Sequence, residues 1–404
     1  MATLTPFRAL RPLIALAGRV ASPPYDVVST KEARELAAGN PDSFLRVSRP
    51  EIDLPPGTDE HADAVYAKGA ENLAELRERG VLVQDAEPRF YVYAQRMGAH
   101  RQTGLVACAS VDEYDRDVIK KHEKTRADKE DDRVRHVDTL SAHDEPVFLT
   151  YRAVPDVDRA VEDVKRGKPE YDLVTPDGVA HQLWVVPAEV GARLQALFRA
   201  VPALYVADGH HRSAAASRVH AKRKGKPGEH GAFLVVVFPH DQMQILAYNR
   251  LVRDPKGRAP AALLEALQKV LDVEPASDPK PDHPLAVGIF LGGRWWHAHV
   301  RQGSYDASDP VASLDCSIVQ DQILAPIFGI ADPRTSKDVD FVGGIRGHEE
   351  LERRVRGEGW SLALHLFPTR VEQLIAVSDA GKLMPPKSTW FEPKLRSGLF
   401  VHPF

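Results

Sequence analysis

The sequence predicts an α+β protein of two or three packed units, and three observations point there. The chain has 404 residues, past the length at which a single hydrophobic core stops growing. Apolar residues make up 43% and charged residues 27%, the usage of a chain that buries a core rather than one that stays disordered. Runs of β-branched and aromatic residues and runs of helical periodicity follow one another without an internal repeat or a low-complexity tract.

Residues 1–85 predict a helical N-terminal region. A proline-rich entry (Pro6, Pro12, Pro23, Pro24) leads into helical periodicity from Thr30, with Ser29 or Thr30 as cap and Asn40-Pro41 as the stop. A second helix is expected over 61–79, rich in Ala, Leu and Glu and closed by Gly80. The pattern changes near Arg89. Residues 90–93 and 103–111 read as the two strands of a hairpin, and further strands are expected at 146–151, 180–186, 203–207 and 232–238. Helices at 189–200 and 211–224 complete a central region spanning 86–253. A Pro-rich, charged stretch at 254–260 reads as a linker. It opens a C-terminal α+β region, 254–404, with strands at 286–291, 295–300 and 339–342, a loop at 275–284, and helices near 313–327, 347–357 and 369–380.

Charge and cysteine usage exclude several classes of function. The 53 basic and 57 acidic side chains leave a net charge of −4, which offers no global attraction to nucleic-acid phosphates and no polybasic membrane anchor. Cys108 and Cys316 are too few for a disulfide framework and wrongly spaced for a cysteine zinc site. No 18-residue uncharged apolar segment and no leader pattern is present. The expectation is a cytoplasmic protein without a membrane partner, acting on small molecules; the oligomeric state is left open.

The sharpest local feature is Leu204-Tyr205-Val206-Ala207 running into Asp208-Gly209-His210-His211-Arg212. Strand, polar turn and helix is the implied order. A helix start offers unpaired backbone N–H groups and a positive dipole end, which suit a phosphate, and a glycine lets the backbone approach closely. Arg212 adds a bidentate donor, and His210 and His211 add hydrogen bonds. The competing reading is an ordinary helix start capped by Asp208. A metal reading of His210 and His211 lacks a third ligand at i+3 or i+4. In Lys120-Lys121-His122-Glu123-Lys124-Thr125-Arg126, one carboxylate stands among cations that keep Glu123 ionised; a solvated charged loop is the alternative. Lys387, Ser388, Thr389 and Lys394 form a donor-rich segment beside Trp390 and Phe391, fit either to hold an anion or to clasp the C-terminus. Pro23-Pro24-Tyr25-Asp26 and Asn249-Arg250 are ambiguous in the same way.

Taken in order, Pro23-Pro24-Tyr25-Asp26-Val27-Val28, Asn40-Pro41-x-Ser43-Phe44-Leu45, His122-Glu123-x-Thr125, Asp208-Gly209-His210-His211-Arg212 and Met384-Pro385-Pro386-Lys387-Ser388-Thr389 resemble the family called domain of unknown function 1015. The middle portion also resembles the free serine kinases built on the ParB/sulfiredoxin fold. In both, His-Glu, a charged helix (here with Asp132-Arg133), a strand with proline (Pro146-Val147-Phe148-Leu149) and Asp-Gly-His-His-Arg follow in that order. The departure is the 62 residues (208 − 146) from Pro146 to Asp208, longer than in the compact kinases.

The resemblance implies a ParB/sulfiredoxin-like core within 86–253 and a kinase that moves a phosphoryl group from ATP or ADP, with Mg²⁺, to a hydroxyl, that of free L-serine. It implies Glu123 as the base and Asp208 as the group orienting the nucleophile or the metal. Gly209, His210, His211 and Arg212 would hold the phosphate, with Thr125 and Arg126 adding contacts. His122, Lys387, Ser388 and Thr389 would close the site. The alternative is a ParB-like nucleotide-binding switch without kinase activity, for which a DNA-reading helix-turn-helix is missing from the sequence. A third reading is metal-dependent hydrolysis through His210 and His211.

Overall fold

The computed structural model describes residues 2–404, mixed α and β throughout, as the sequence predicts. Two compact units divide the chain, and each is described by itself. The first comprises residues up to Lys121, then Thr125–Met243 and Pro393–Phe404; the second comprises His122–Lys124 and Gln244–Glu392. The sequence-based divisions at 85/86 and 253/254 therefore differ from the structural one. Residues 2–85 sit in the same unit as the central strands, because Leu4–Thr5 pairs with the long strand His100–Ser110.

A nine-stranded sheet forms the first unit. The hairpin expected near 90 and 103 is Tyr91–Met97 against His100–Ser110, antiparallel. Strand Ala232–Pro239 runs antiparallel to His100–Ser110 and parallel to Val147–Tyr151. Strand Leu204–Asp208 then lies antiparallel to Val147–Tyr151. Side chains alternate between faces along a strand, so Leu105, Ala107, Val147, Leu149, Leu204, Val206, Val235 and Val237 share one buried apolar face, which packs on Val157, Ala160, Leu194 and Phe198. The helices supplying these, Pro155–Lys165 and Ala188–Phe198, cover the sheet. Helices Ala127–Leu140 and His210–Lys222 pack against each other.

The second unit centres on a six-stranded sheet in the order Leu271–Pro275, Arg294–Val300, Ala286–Leu291, Leu362–Leu366, Tyr248–Val252, Val339–Gly343, each neighbour antiparallel. Leu251, Phe290, Trp295, Val342, Leu351 and Ala363 form its apolar cluster. Among the described residues, no helix is long and apolar enough to cross a membrane.

Candidate functional site

The strand–turn–helix expected at 204–213 is present. Leu204–Asp208 is a strand, Gly209 is the N-cap, and the helix is His210–Lys222. Gly209 adopts φ +98°, and a β-carbon there would lie 3.1 Å from Arg212 Nε; the left-handed backbone and the close approach both call for glycine. Asp208 does not cap the helix through its side chain. A bulge in the pairing with Val147–Tyr151, between Val206 and Asp208, re-aims its carboxylate, which pairs with Lys394 Nζ at 3.1 Å and stands 3.8 Å from Arg212. Burial disfavours the charge on Asp208, but Lys394 and Arg212 outweigh it and hold the carboxyl well below the usual carboxylate range.

Because Val147–Tyr151 begins where the antiparallel Leu204–Asp208 ends, the residues just before Val147 meet the helix start. Arg212 Nη1 donates to the Pro146 carbonyl. Its guanidinium is buried, 3.9 Å from Glu145 and 4.0 Å from Asp26. Burial pulls down the Arg212 pKa, and Asp26, Asp208 and Glu145 more than reverse that. Glu145 is the residue that sequence reasoning missed. Its Oε1 accepts from the Tyr25 N–H at 3.0 Å and from the Ser397 hydroxyl at 2.7 Å. Its Oε2 is buried without a hydrogen-bond partner. Burial, with Asp144 and Asp26 adding to it against the pull of Arg212, pushes the carboxyl up to about 7. Three consecutive titratable residues, His143-Asp144-Glu145, followed by the proline just before a strand, are a signal that sequence reasoning passed over.

Around this centre the charges are paired. His136 Nε2 lies 3.0 Å from Asp144, and although burial opposes its charge, His136 and Arg133 keep Asp144 ionised. Arg133 pairs with Asp132 at 2.8 Å and sits 3.9 Å over the Tyr25 ring. Pro23-Pro24-Tyr25-Asp26, ambiguous in the sequence, thus joins the Asp208–Arg212 turn. A cavity of about 10 Å³ lined by Arg133, Asp144, Glu145 and Arg212 holds about one water, not a substrate.

Other expected site residues fall as follows. His211 Nε2 accepts from the Arg126 N–H at 3.2 Å, which assigns its proton to Nδ1 and ties together the starts of two helices. The Thr125 hydroxyl is engaged by Glu130, and the Arg126 guanidinium by Asp128 at 2.7 Å. His210 is buried in the first turn. In the second unit, the His122 carbonyl accepts from the Met384 N–H at 2.7 Å, which joins the His122-Glu123 segment to the Met384–Thr389 segment. Ser388 Oγ donates to the Pro385 carbonyl at 2.6 Å, and its carbonyl accepts from Thr369. Lys387 is exposed.

The sequence matches, over residues 4–317, the family described as protein of unknown function DUF1015. The chain belongs to that family. The matched span of this DUF1015 chain contains the Tyr25, Glu145 and Asp208–Arg212 cluster, and ends before the Met384–Thr389 segment. No curated protein matches the sequence. Solved structures with a distant likeness to the DUF1015 chain include a conserved hypothetical protein from Pyrococcus furiosus (11% identity, 74% of this chain and 95% of that one, TM-score 0.38). They also include a free serine kinase in complex with AMP (11% identity, 73% and 91%, TM-score 0.37). A third is SbnI with C-terminal truncation from Staphylococcus aureus (13% identity, 74% and 87%, TM-score 0.39).

Proposed function

We propose that this protein is a small-molecule kinase that moves a phosphoryl group from ATP or ADP to a hydroxyl, that of free L-serine, on a ParB/sulfiredoxin-like core. The observation that carries the reading is the turn at Gly209, whose left-handed backbone opens a 13-residue helix with no acidic residue in its first turn. A phosphate is what such a terminus receives most favourably, and Arg212 behind it adds positive charge where charge accumulates during transfer. The motif order His122-Glu123, Asp132-Arg133, Pro146, Asp208–Arg212 supports the same reading.

In this proposal Glu123 takes the proton from the attacking hydroxyl, Asp208 orients the nucleophile, and Gly209, His210, His211 and Arg212 hold the phosphate. Thr125 and Arg126 add phosphate contacts, and His122 with Lys387, Ser388 and Thr389 closes the site. Magnesium belongs to the nucleotide here. Among the described residues no group of three or more His, Cys, Asp or Glu side chains is arranged to hold a metal, and Asp208 is already compensated by two cations.

The test is incubation of the purified chain with Mg²⁺, ATP or ADP and a panel of hydroxyl-bearing amino acids and alcohols, with products read by mass spectrometry. Phosphoserine formed by the wild type and lost in Glu123→Gln, with nucleotide still bound, is the expected result. Nucleotide binding without any phosphorylated product would favour the switch reading instead.

A further inference from the structure

The buried arginines among the described residues are Arg133, Arg212, Arg250 and Arg396. Three face carboxylates: Arg133 with Asp132 at 2.8 Å, Arg212 with Asp208 at 3.8 Å, and Arg396 with Asp177. Arg250, only 3% exposed, pairs with none among the described residues. Of its five N–H donors, one is used, by Nη1 to the Tyr248 carbonyl. The guanidinium carbon sits 4.6 Å from the Phe341 ring centroid, a contact that favours a cation without neutralising it. Burial pulls the Arg250 guanidinium down to about 10, with only Cys316 and Tyr248 favouring its charge. The Cys316 thiol is itself pushed up by burial, so it stays neutral and supplies no counter-ion.

The strand pattern explains how the cation comes to be there. Arg250 lies mid-strand in Tyr248–Val252, opposite Phe341 and Leu364, so Leu251 enters the apolar cluster on one face while Tyr248 and Arg250 share the other. Over that other face lie Cys316, whose Sγ is 3.1 Å from Ser388 Oγ, and Trp390, packed edge-on to Tyr248 at 5.2 Å. Lys387 Nζ is 5.7 Å from the Tyr248 ring centroid. Lys387 is exposed and has φ +57° despite its β-carbon; backbone held in that region persists where the surroundings impose it, often beside a binding site.

A buried guanidinium with no counter-charge is a cost that packing alone does not offset, and its planar fork matches a carboxylate or phosphate in bidentate geometry. We propose that Arg250 is the floor of a binding site for a small oxyanion, a carboxylate or a phosphate, with Lys387 at its rim. The site lies within the second unit, and Lys387 is the one residue it shares with the kinase reading.

The experiment is thermal denaturation of the full chain in sodium acetate, L-serine or inorganic phosphate, each compared with chloride at matched ionic strength. The Gly209→Ala background separates any phosphate bound at the Asp208–Arg212 turn. The expected result is a midpoint raised by at least one oxyanion and not by chloride, the carboxylate and phosphate arms telling which group is recognised. Arg250→Met, close in volume, is expected to keep the unliganded midpoint and lose the anion-dependent rise. Should that variant not fold, Arg250→Lys carries the test with an expected tenfold or greater loss of affinity, and Lys387→Ala with a severalfold loss. No rise with any oxyanion, or wild-type affinity in the folded Arg250 variants, overturns the proposal.

Discussion

Glu145 makes one pH-dependent contribution to the stability of the first unit, opposed over part of the same range by buried His143 and His181, whose imidazoles burial pushes down to about 3. Its carboxyl is raised from the ordinary 4.5 to about 7, so between those values the unfolded chain releases a proton that the folded chain keeps. At this group the folded protein then binds more protons than the unfolded, and the contribution of Glu145 to stability falls as pH rises across that window and levels off above it. Glu145→Gln keeps the acceptor for the Tyr25 N–H and the Ser397 hydroxyl and removes the titration. The variant is therefore expected to gain stability relative to wild type from pH 4.5 to 7, read by urea denaturation across pH; parallel curves would mean Glu145 is not raised. Neither Glu145 nor its partners Tyr25 and Ser397 were legible as a group in the sequence, because they stand 120 and 252 positions away from it and only the fold brings them together. The Asp208–Arg212 turn was legible, since strand, glycine and helix signals are contiguous.

At the scale of the element, local signals fared best where the chemistry is local. The helix Thr30–Leu36 starts with a capping box in which Ser29 Oγ accepts from the Glu32 N–H and the Glu32 carboxylate accepts from the Ser29 N–H. Ser29→Ala is expected to cost about 1 kcal/mol, measured by denaturant titration; no change would mean that tertiary packing fixes this helix. Helix Pro155–Lys165 went unrecognised although Pro155 at its first turn with Asp156 and Asp158 is an N-terminal signature. Its apolar stripe, Val157, Ala160 and Val161, is short and set among charges. Strand Tyr248–Val252 was hidden by Asn249-Arg250, two buried polar residues where a strand is expected to be apolar. Strand Leu362–Leu366 is apolar on both faces apart from His365 and carries no period to read.

At the scale of the whole molecule, the chain leaves the first unit and returns to it. Residues 393–404 belong there: Lys394 pairs with Asp208, Ser397 bonds Glu145 and exchanges backbone hydrogen bonds with Ser22, and His402–Pro403 pairs with Ala142–His143. Propensity cannot announce such a return, since the segment is irregular and its partners are hundreds of residues away. Truncation after Glu392 is expected to lower the thermal midpoint and weaken nucleotide binding by tenfold or more while leaving every residue of the Asp208–Arg212 turn in place. Unchanged nucleotide affinity in the truncated protein would show that Lys394 and Ser397 do not support the turn.

The most direct measurement is the affinity of the full chain for ADP with Mg²⁺ by titration calorimetry, compared between wild type and Gly209→Ala, with circular dichroism confirming that both are folded. The backbone at φ +98° and the 3.1 Å approach to Arg212 predict saturable binding by the wild type and a loss of tenfold or more in the variant. Equal affinity in the two folded proteins would contradict the assignment of this turn as the phosphate seat.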